Sequence, residues 1–392
     1  MSKRRTEGSS EDVRYLGLEN IESWTGRLLA GDARIAADEE ERSGAVSNCF
    51  ERGDVLFGKL RPYLAKAHLA EAPGTCTTEL LALKPSAKVH GRFLLYALLT
   101  EEFINVVDGS TFGSKMPRAD WDFIGNQTVP VPSPAQQRAI ADYLDRETAR
   151  LDALVAAKAR LLELLAEKRR ALITRAVTRG LNPNVPLKES GVEWLDCIPD
   201  YWTPTKISRL FRQTKRLGFG DLTVLSVYRD YGVIERTSRD DNANRVPDDL
   251  DKYQLVETGD LVINKMKAWQ GSLGISSLQG ITSPDYVVFS PLHDEDPAYL
   301  HLLLRNPLLT TVYLSMSNGI RLNQWRIEPD RFATLKLFLP PLPEQRAIVA
   351  HIAAETAKLD ALRAAAERSI ALLRERRAAL IAAAVTGKLA LA

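Results

Sequence analysis

The chain has 392 residues, enough for two or more cored domains, and its 45% hydrophobic and 26% charged content is ordinary for a soluble globular protein. A formal net charge of +2 argues neither for nor against a nucleic-acid partner, since basic residues matter there only when gathered on one face. Cys49, Cys76 and Cys197 are too few and too scattered for a disulfide framework or a zinc site, which fits a reducing cytoplasm, and no apolar run reaches membrane-spanning length. Residues 1–12 are polar and lack the apolar core of a signal peptide, so a disordered tail is expected there.

Residues 13–133 read as a first globular region. Val13 to Leu18, Val55 to Leu60 and Glu79 to Lys84 have strand character, the last ended by Pro85. Phe93 to Val107 has helical spacing and is broken by Asp108-Gly109-Ser110. Thr128 to Val131 reads as a short strand before a Pro-rich hinge.

Residues 134–180 carry a long helix, helical over 134–179, which at 1.5 Å per residue spans roughly 65–70 Å. That length suits a spacer. Leu144, Leu151, Lys158, Leu165 and Leu172 are seven apart, the spacing of a coiled-coil seam, with Lys158 interrupting it. Residues 181–338 read as a second globular region. It has strands at Leu222 to Val227, Leu261 to Asn264 and Val287 to Ser290, and a helix over Asp296 to Val312 interrupted near Pro307. Residues 339–388 hold a second long helix, helical over 339–386, with Ile352, Leu359, Ala366, Leu373 and Leu380 as its seam.

The long helices are copies of one another. Pro132 to Leu181 matches Pro340 to Leu389 without gaps, about 208 positions apart, at roughly half of the positions. Gln137-Arg138-Ala139-Ile140 falls on Gln345-Arg346-Ala347-Ile348, Leu151-Asp152-Ala153-Leu154 on Leu359-Asp360-Ala361-Leu362, and Ala176-Val177-Thr178 on Ala384-Val385-Thr386. The globules repeat less closely. Gly53-Asp54-Val55-Leu56 falls on Gly259-Asp260-Leu261-Val262, Lys59 on Lys265, Arg61 on Lys267, Tyr63 on Trp269 and Glu79 on Asp285. Gly113 and Lys115 fall on Gly319 and Arg321 in the same register. The expected fold is α+β: two mixed α/β globules separated by two long helices packed as a coiled coil, with an internal pseudo-twofold repeat. Diverged globules on near-identical helices suggest one frame carrying two readers of different targets.

With these motifs the chain resembles the specificity subunit of type I restriction–modification systems. The resemblance rests on the twice-used Pro-rich lead-in (Pro340 to Arg346; Pro132 to Arg138), the Leu-Asp-Ala-Leu helices, Gly259-Asp260 with Lys265 to Trp269, and Ser283 to Val288. It implies two target-recognition domains, each reading half of a split sequence in double-stranded DNA, with the helix pair setting their separation. It also implies that the chain docks adenine methyltransferase subunits, expected to be two, and a restriction/translocase subunit. Methylation and cleavage, with S-adenosylmethionine, ATP and Mg, would belong to those partners; this chain would be non-catalytic, would bind no cofactor itself and would act in the cytoplasm. Lys188 to Phe211 resembles the usual opening of such a domain, and no counterpart precedes Val13, so the first domain is expected to be shortened at its start.

The residues themselves show no methylating motif and no phosphate loop. Gly218-Phe219-Gly220 reads as a loop, and the five histidines are isolated, so structural roles are favoured over metal ligation. The chain reads as a binding and architectural protein, and a coiled-coil scaffold with two non-DNA modules is the competing reading.

Phosphate contacts need Lys or Arg, and base reading needs Arg, Lys, Asn or Gln presented to a groove. Two sets qualify. Lys59, Arg61 and Tyr63, with Lys265, Lys267 and Trp269, form the first; Lys115 and Arg118, with Arg321, Gln324 and Arg326, form the second, in Gly-containing loops. Arg169, Arg170, Arg376 and Arg377 read as solvated helix charges or partner contacts.

Overall fold

Val55 to Gly58 is a run of residues without a polar face, and it forms a strand buried on both sides. Val55 and Phe57 point into one apolar core and Leu56 into another, as the two-residue period of a strand requires. Leu261 to Asn264 repeats the arrangement: Leu261 and Ile263 enter one core, Val262 a second. These strands centre two comparable sheets in a computed structural model that describes residues 15–29, 47–239, 249–319 and 325–389. The expected N-terminal tail, Arg321 and Gln324 lie outside the described residues. Contacts divide the chain into two units, Met1–Leu161 with Ala366–Ala392, and Leu162–Ala365.

In the first unit, Val55–Gly58 pairs antiparallel with Ala67–Leu69 on one side and Leu80–Leu83 on the other. A second sheet sets Gly74–Thr77 between Tyr15–Leu16, parallel, and Ser47–Phe50, antiparallel. The helix expected over Phe93 to Val107 is two helices, Gly91–Leu98 and Glu101–Gly109. Thr100 breaks it: its hydroxyl accepts the Phe103 N–H and caps the second helix. The strand expected at Thr128 to Val131 is irregular chain. Its counterpart in the second unit, Lys336–Leu339, is a strand because Thr203–Lys206 pairs with it. No described strand of the first unit plays that part, and an unpaired extended segment is not a strand.

In the second unit the antiparallel sheet runs Phe211–Thr214, Tyr286–Pro291, Leu261–Asn264, Leu273–Ile275. Leu261 pairs with Ile275 and Phe289, as Val55 pairs with Leu69 and Leu83, so the two sheets share one register. Pro297–Leu304 and Leu308–Ser315 are the interrupted helix pair expected around Pro307. Gly218 to Gly220 lies in a loop, as read.

The long helices run Pro134–Arg179 and Leu342–Val385. In the first unit the start of one lies beside the end of the other: Ile140 and Leu144 share a core with Ile381, Ala384 and Val385, while Asp152 meets Arg377. In the second unit Arg169 meets Asp360, while Ala176 and Val177 share a core with Ile348 and Ile352. In both units the partner number falls as the helix number rises, so the segments pack antiparallel. Leu144, Leu151, Leu165, Ile352, Leu359 and Ala366 of the seam are buried, and Lys158, Leu172, Leu373 and Leu380 are half-buried.

The repeated Gln explains the lead-in motif. Gln137 and Gln345 are fully buried, each at the start of a long helix. Gln137 Oε1 accepts the His90 N–H at 2.7 Å, and its Nε2 donates to the carbonyls of Lys88 and Pro132. Gln345 Oε1 accepts the Asp296 N–H at 3.0 Å, and its Nε2 donates to the Pro340 carbonyl. Each amide ties a long helix to the start of a helix in its own globule. Among the described residues, no helix is long and apolar enough to cross a membrane, and no cluster of His, Cys, Asp and Glu could hold a metal ion.

Candidate nucleic-acid interface

A tight turn precedes each central strand. Gly53 and Gly259 have φ of 93° and 92°, a region that favours glycine, and the carboxylates of Asp54 and Asp260 accept the N–H of Glu51 and Glu257, each at 2.8 Å. This turn fixes where the strand starts, and therefore where Lys59 and Lys265 leave it.

Beyond the strand, the structure brings together the two sets of candidates that sequence kept apart. In the first unit Lys59 N–H donates to Glu79 O at 3.0 Å and Ala119 N–H to Lys59 O at 3.0 Å, while Arg61 N–H donates to Pro117 O at 2.7 Å. The segment carrying Lys59, Arg61 and Tyr63 is thereby stitched to the loop carrying Lys115 and Arg118. In the second unit Lys265 N–H donates to Asp285 O at 3.3 Å, and Ile327 N–H to Lys265 O at 3.0 Å. The segment carrying Lys265, Lys267 and Trp269 is thereby stitched to Arg326.

The side chains at these corners differ in freedom. Arg118 Nε donates to both oxygens of Glu79 at 3.2 Å, and Arg326 Nη2 donates to Asp285 Oδ1 at 3.2 Å. An Arg–carboxylate pair therefore recurs at the same place in both units, partly buried between Arg118 and Glu79 and exposed between Arg326 and Asp285. Arg326 Nε also lies 3.1 Å from Met266 Sδ. Lys265 Nζ donates to Pro284 O, and Trp269 Nε1 donates to Met266 O while its ring lies 6.1 Å from that of Trp325. Lys59, Lys115 and Lys267 have no ion-pair partner among the described residues, and Lys115 and Lys267 are exposed. Among the described residues the Arg61 side chain reaches the Lys115 carbonyl alone, at 3.5 Å, and it is exposed.

Sequence reasoning matched Glu79 to Asp285 but gave neither a role; the signal was an acid repeated beside a repeated Arg. In space Arg326 is the counterpart of Arg118, two positions beyond the register that sets Lys59 on Lys265.

The helix charges need a correction. Arg377 is not solvated: it is 8% exposed, its Nε lies 3.0 Å from Asp152 Oδ1, and its Nη1 donates to Trp24 O at 2.7 Å. Arg169, its counterpart, meets Asp360 at 2.5 Å in a more exposed setting. The Asp of each Leu-Asp-Ala-Leu motif thus holds an Arg of the other helix.

Each unit is an α/β globule built on segments of paired antiparallel long helices, and solved chains share this fold. A solved chain from work on complex assembly and conformational transition of the type I R-M system has this fold, with a TM-score of 0.73 at 18% identity over 99% of this chain and 96% of its own. The HsdS subunit from Thermoanaerobacter tengcongensis has it too, with a TM-score of 0.54 at 18% identity over 99% and 95%. In sequence, the chain is similar to two specificity subunits from Escherichia coli. The type I restriction enzyme EcoDI specificity subunit is 25% identical over 140 residues, 36% of this chain, and the EcoBI specificity subunit is 20% identical over 325 residues, 77% of this chain. The chain spans 30% and 66% of the lengths of these relatives. No protein-family model matches it. The resemblance to type I specificity subunits holds in both sequence and fold.

Proposed function

We propose that this chain is the non-catalytic DNA-specificity subunit of a type I restriction–modification complex, and that each globule reads one half of a split duplex target. The observation that carries the reading is the corner built twice: a central strand delivers Lys59 and Arg61, or Lys265 and Lys267, beside a segment stitched to it by backbone hydrogen bonds and carrying an Arg–carboxylate pair. Exposed cations on a rigid scaffold are what phosphate positioning needs. Docking of adenine methyltransferase subunits, two in this proposal, and of a restriction/translocase subunit falls to the outer faces of the long helices. Leu154, Leu161 and Leu372 in the first unit, and Leu164 and Leu362 in the second, are 42–64% exposed, apolar positions of the kind that partner helices cover. S-adenosylmethionine, ATP and Mg are then used by those partners, in the cytoplasm.

The test is duplex binding by the full chain across a salt series. Binding that weakens steeply with salt is expected, and replacing Lys59 or Lys267 with Ala should lower the salt slope by about one each. A chain that leaves duplex DNA unbound, or binds it without salt dependence, favours the scaffold reading instead.

A further inference from the structure

The loop that carries Arg118 presents apolar side chains as well as cations. Phe112 is 57% exposed, Tyr63 47% and Met116 45%, large apolar groups left in water at the turns that carry Arg61 and Lys115. Their backbones are fixed. Phe112 and Arg118 exchange N–H···O bonds of 3.1 Å in both directions, closing a short hairpin around Gly113 to Pro117. The Tyr63 N–H donates to Asp108 Oδ1 at 3.3 Å, and the Asp108 carbonyl accepts the Thr111 N–H at 3.0 Å, next to Phe112. Arg61 and Ala65, on either side of Tyr63, hold φ of 51° and 46°, a left-handed conformation that residues other than glycine rarely adopt. Such backbone persists where the surroundings impose it, and it clusters at ligand-contacting sites.

Exposed aromatics on a mobile loop would collapse onto the nearest core. Here backbone bonds hold them out. Residues 59–65 and 110–119 contain Lys59, Arg61, Lys115 and Arg118 and no acid; with Arg118 held by Glu79, three cations remain, so an occupant with negative charge on its flanks and flat apolar surface between them fits. A DNA base step offers that combination: phosphates outside, stacked bases within.

Resting on the DNA-binding reading above, we propose that Phe112 and Met116, with Tyr63, form an apolar wedge that enters a base step of the half-site read by the first globule and unstacks it, while Arg61 and Lys115 hold the adjoining phosphates. This globule then selects sequence partly by how cheaply a step opens, since pyrimidine–purine steps unstack most easily. Its readout differs from groove reading by side-chain hydrogen bonds alone.

The probe is the duplex pool that the full chain recovers from a randomised library, with 2-aminopurine placed in turn at each recovered position. A fluorescence rise on binding, at one step of one half-site, is expected. The double variant Phe112→Ala/Met116→Ala should abolish that rise and weaken binding roughly tenfold with an unchanged salt slope, whereas Lys115→Ala should lower the slope and keep the rise. Phe112→Trp/Met116→Ala, with an aromatic returned to position 112, should recover both the rise and the affinity that the double Ala variant loses. The wedge is overturned if no position brightens, if the double variant binds as tightly as the parent, or if it loses only association between protein chains. Failure to recover any duplex overturns the DNA reading itself, an outcome separate from these.

Discussion

At the scale of single residues, the two Asp–Arg pairs between the long helices are alike in sequence and unequal in energy. Asp152 and Arg377 have side chains 13% and 10% exposed, while Arg169 and Asp360 are 42% and 57% exposed. Removing one partner of a buried pair strands a charge and costs about 3–5 kcal/mol. An exposed pair is worth about 0–1 kcal/mol, because water and salt screen it. Asp152→Asn should therefore lower the denaturant midpoint of the first unit strongly, and Asp360→Asn should barely change that of the second. Equal effects would contradict the burial difference. His301 adds a pH term. Burial, reinforced by Arg305, pushes its pKa down to about 4, and its ring nitrogen Nδ1 faces the Ile275 carbonyl at 3.2 Å. The unfolded ring binds a proton near pH 6.5, whereas the folded ring resists it, so stability is lost as pH falls from about 6.5 to about 4, by up to about 3 kcal/mol. Between pH 7 and pH 4.5 the unfolding midpoint of the parent should fall more steeply than that of His301→Gln, which has no ring to protonate; equal slopes would contradict the buried neutral ring.

Elements show how the same short motifs serve twice. The Gln of each lead-in secures a helix start, and the Ala-Val of each tail enters the core beside the other helix's start. Charge favours this direction over the opposite one. Parallel helices in register would set Asp152 against Asp360 and Arg169 against Arg377, like charge on like. Antiparallel packing makes both pairs attractive. The turn before each central strand is the other repeated device. Nothing lies within 4 Å of a Cβ added to Gly53, so its cost is conformational only, about 1–2 kcal/mol for φ near +90°. Gly53→Ala should show that loss in urea unfolding, and Gly259→Ala a similar one; an unchanged midpoint would mean the turn can relax. Other elements were harder to read. Thr100 looked like one more position in a helical run, and only its hydroxyl's bond to Phe103 reveals a cap. Thr128 to Val131 had strand composition, but a strand is a pairing, and composition does not supply the partner.

For the whole molecule, the proposal gives the long helices the work of a ruler. Half-site centres about one helical turn apart, roughly 34 Å, suit two like readers on one face of a duplex. Adding or deleting a whole turn in both helices should change the spacer of the recognised site, as mapped by methylation sequencing with the partner methyltransferase; an unchanged spacer would end the ruler idea.

The amino-acid order alone determined that there are two long helices, that strands begin at Val55 and Leu261, and the duplication. Each of these follows from interactions between near neighbours: backbone bonds a few residues apart, and apolar residues at the period of a helix or strand. Tertiary structure decided the rest. It made the helices antiparallel, since a seven-residue repeat is the same read in either direction. It paired Arg118 with Glu79 and Arg326 with Asp285, and it set the Phe112 to Arg118 hairpin beside Arg61. Those outcomes depend on groups dozens to hundreds of residues apart meeting in space, and periodicity carries no information about which distant face a side chain will find.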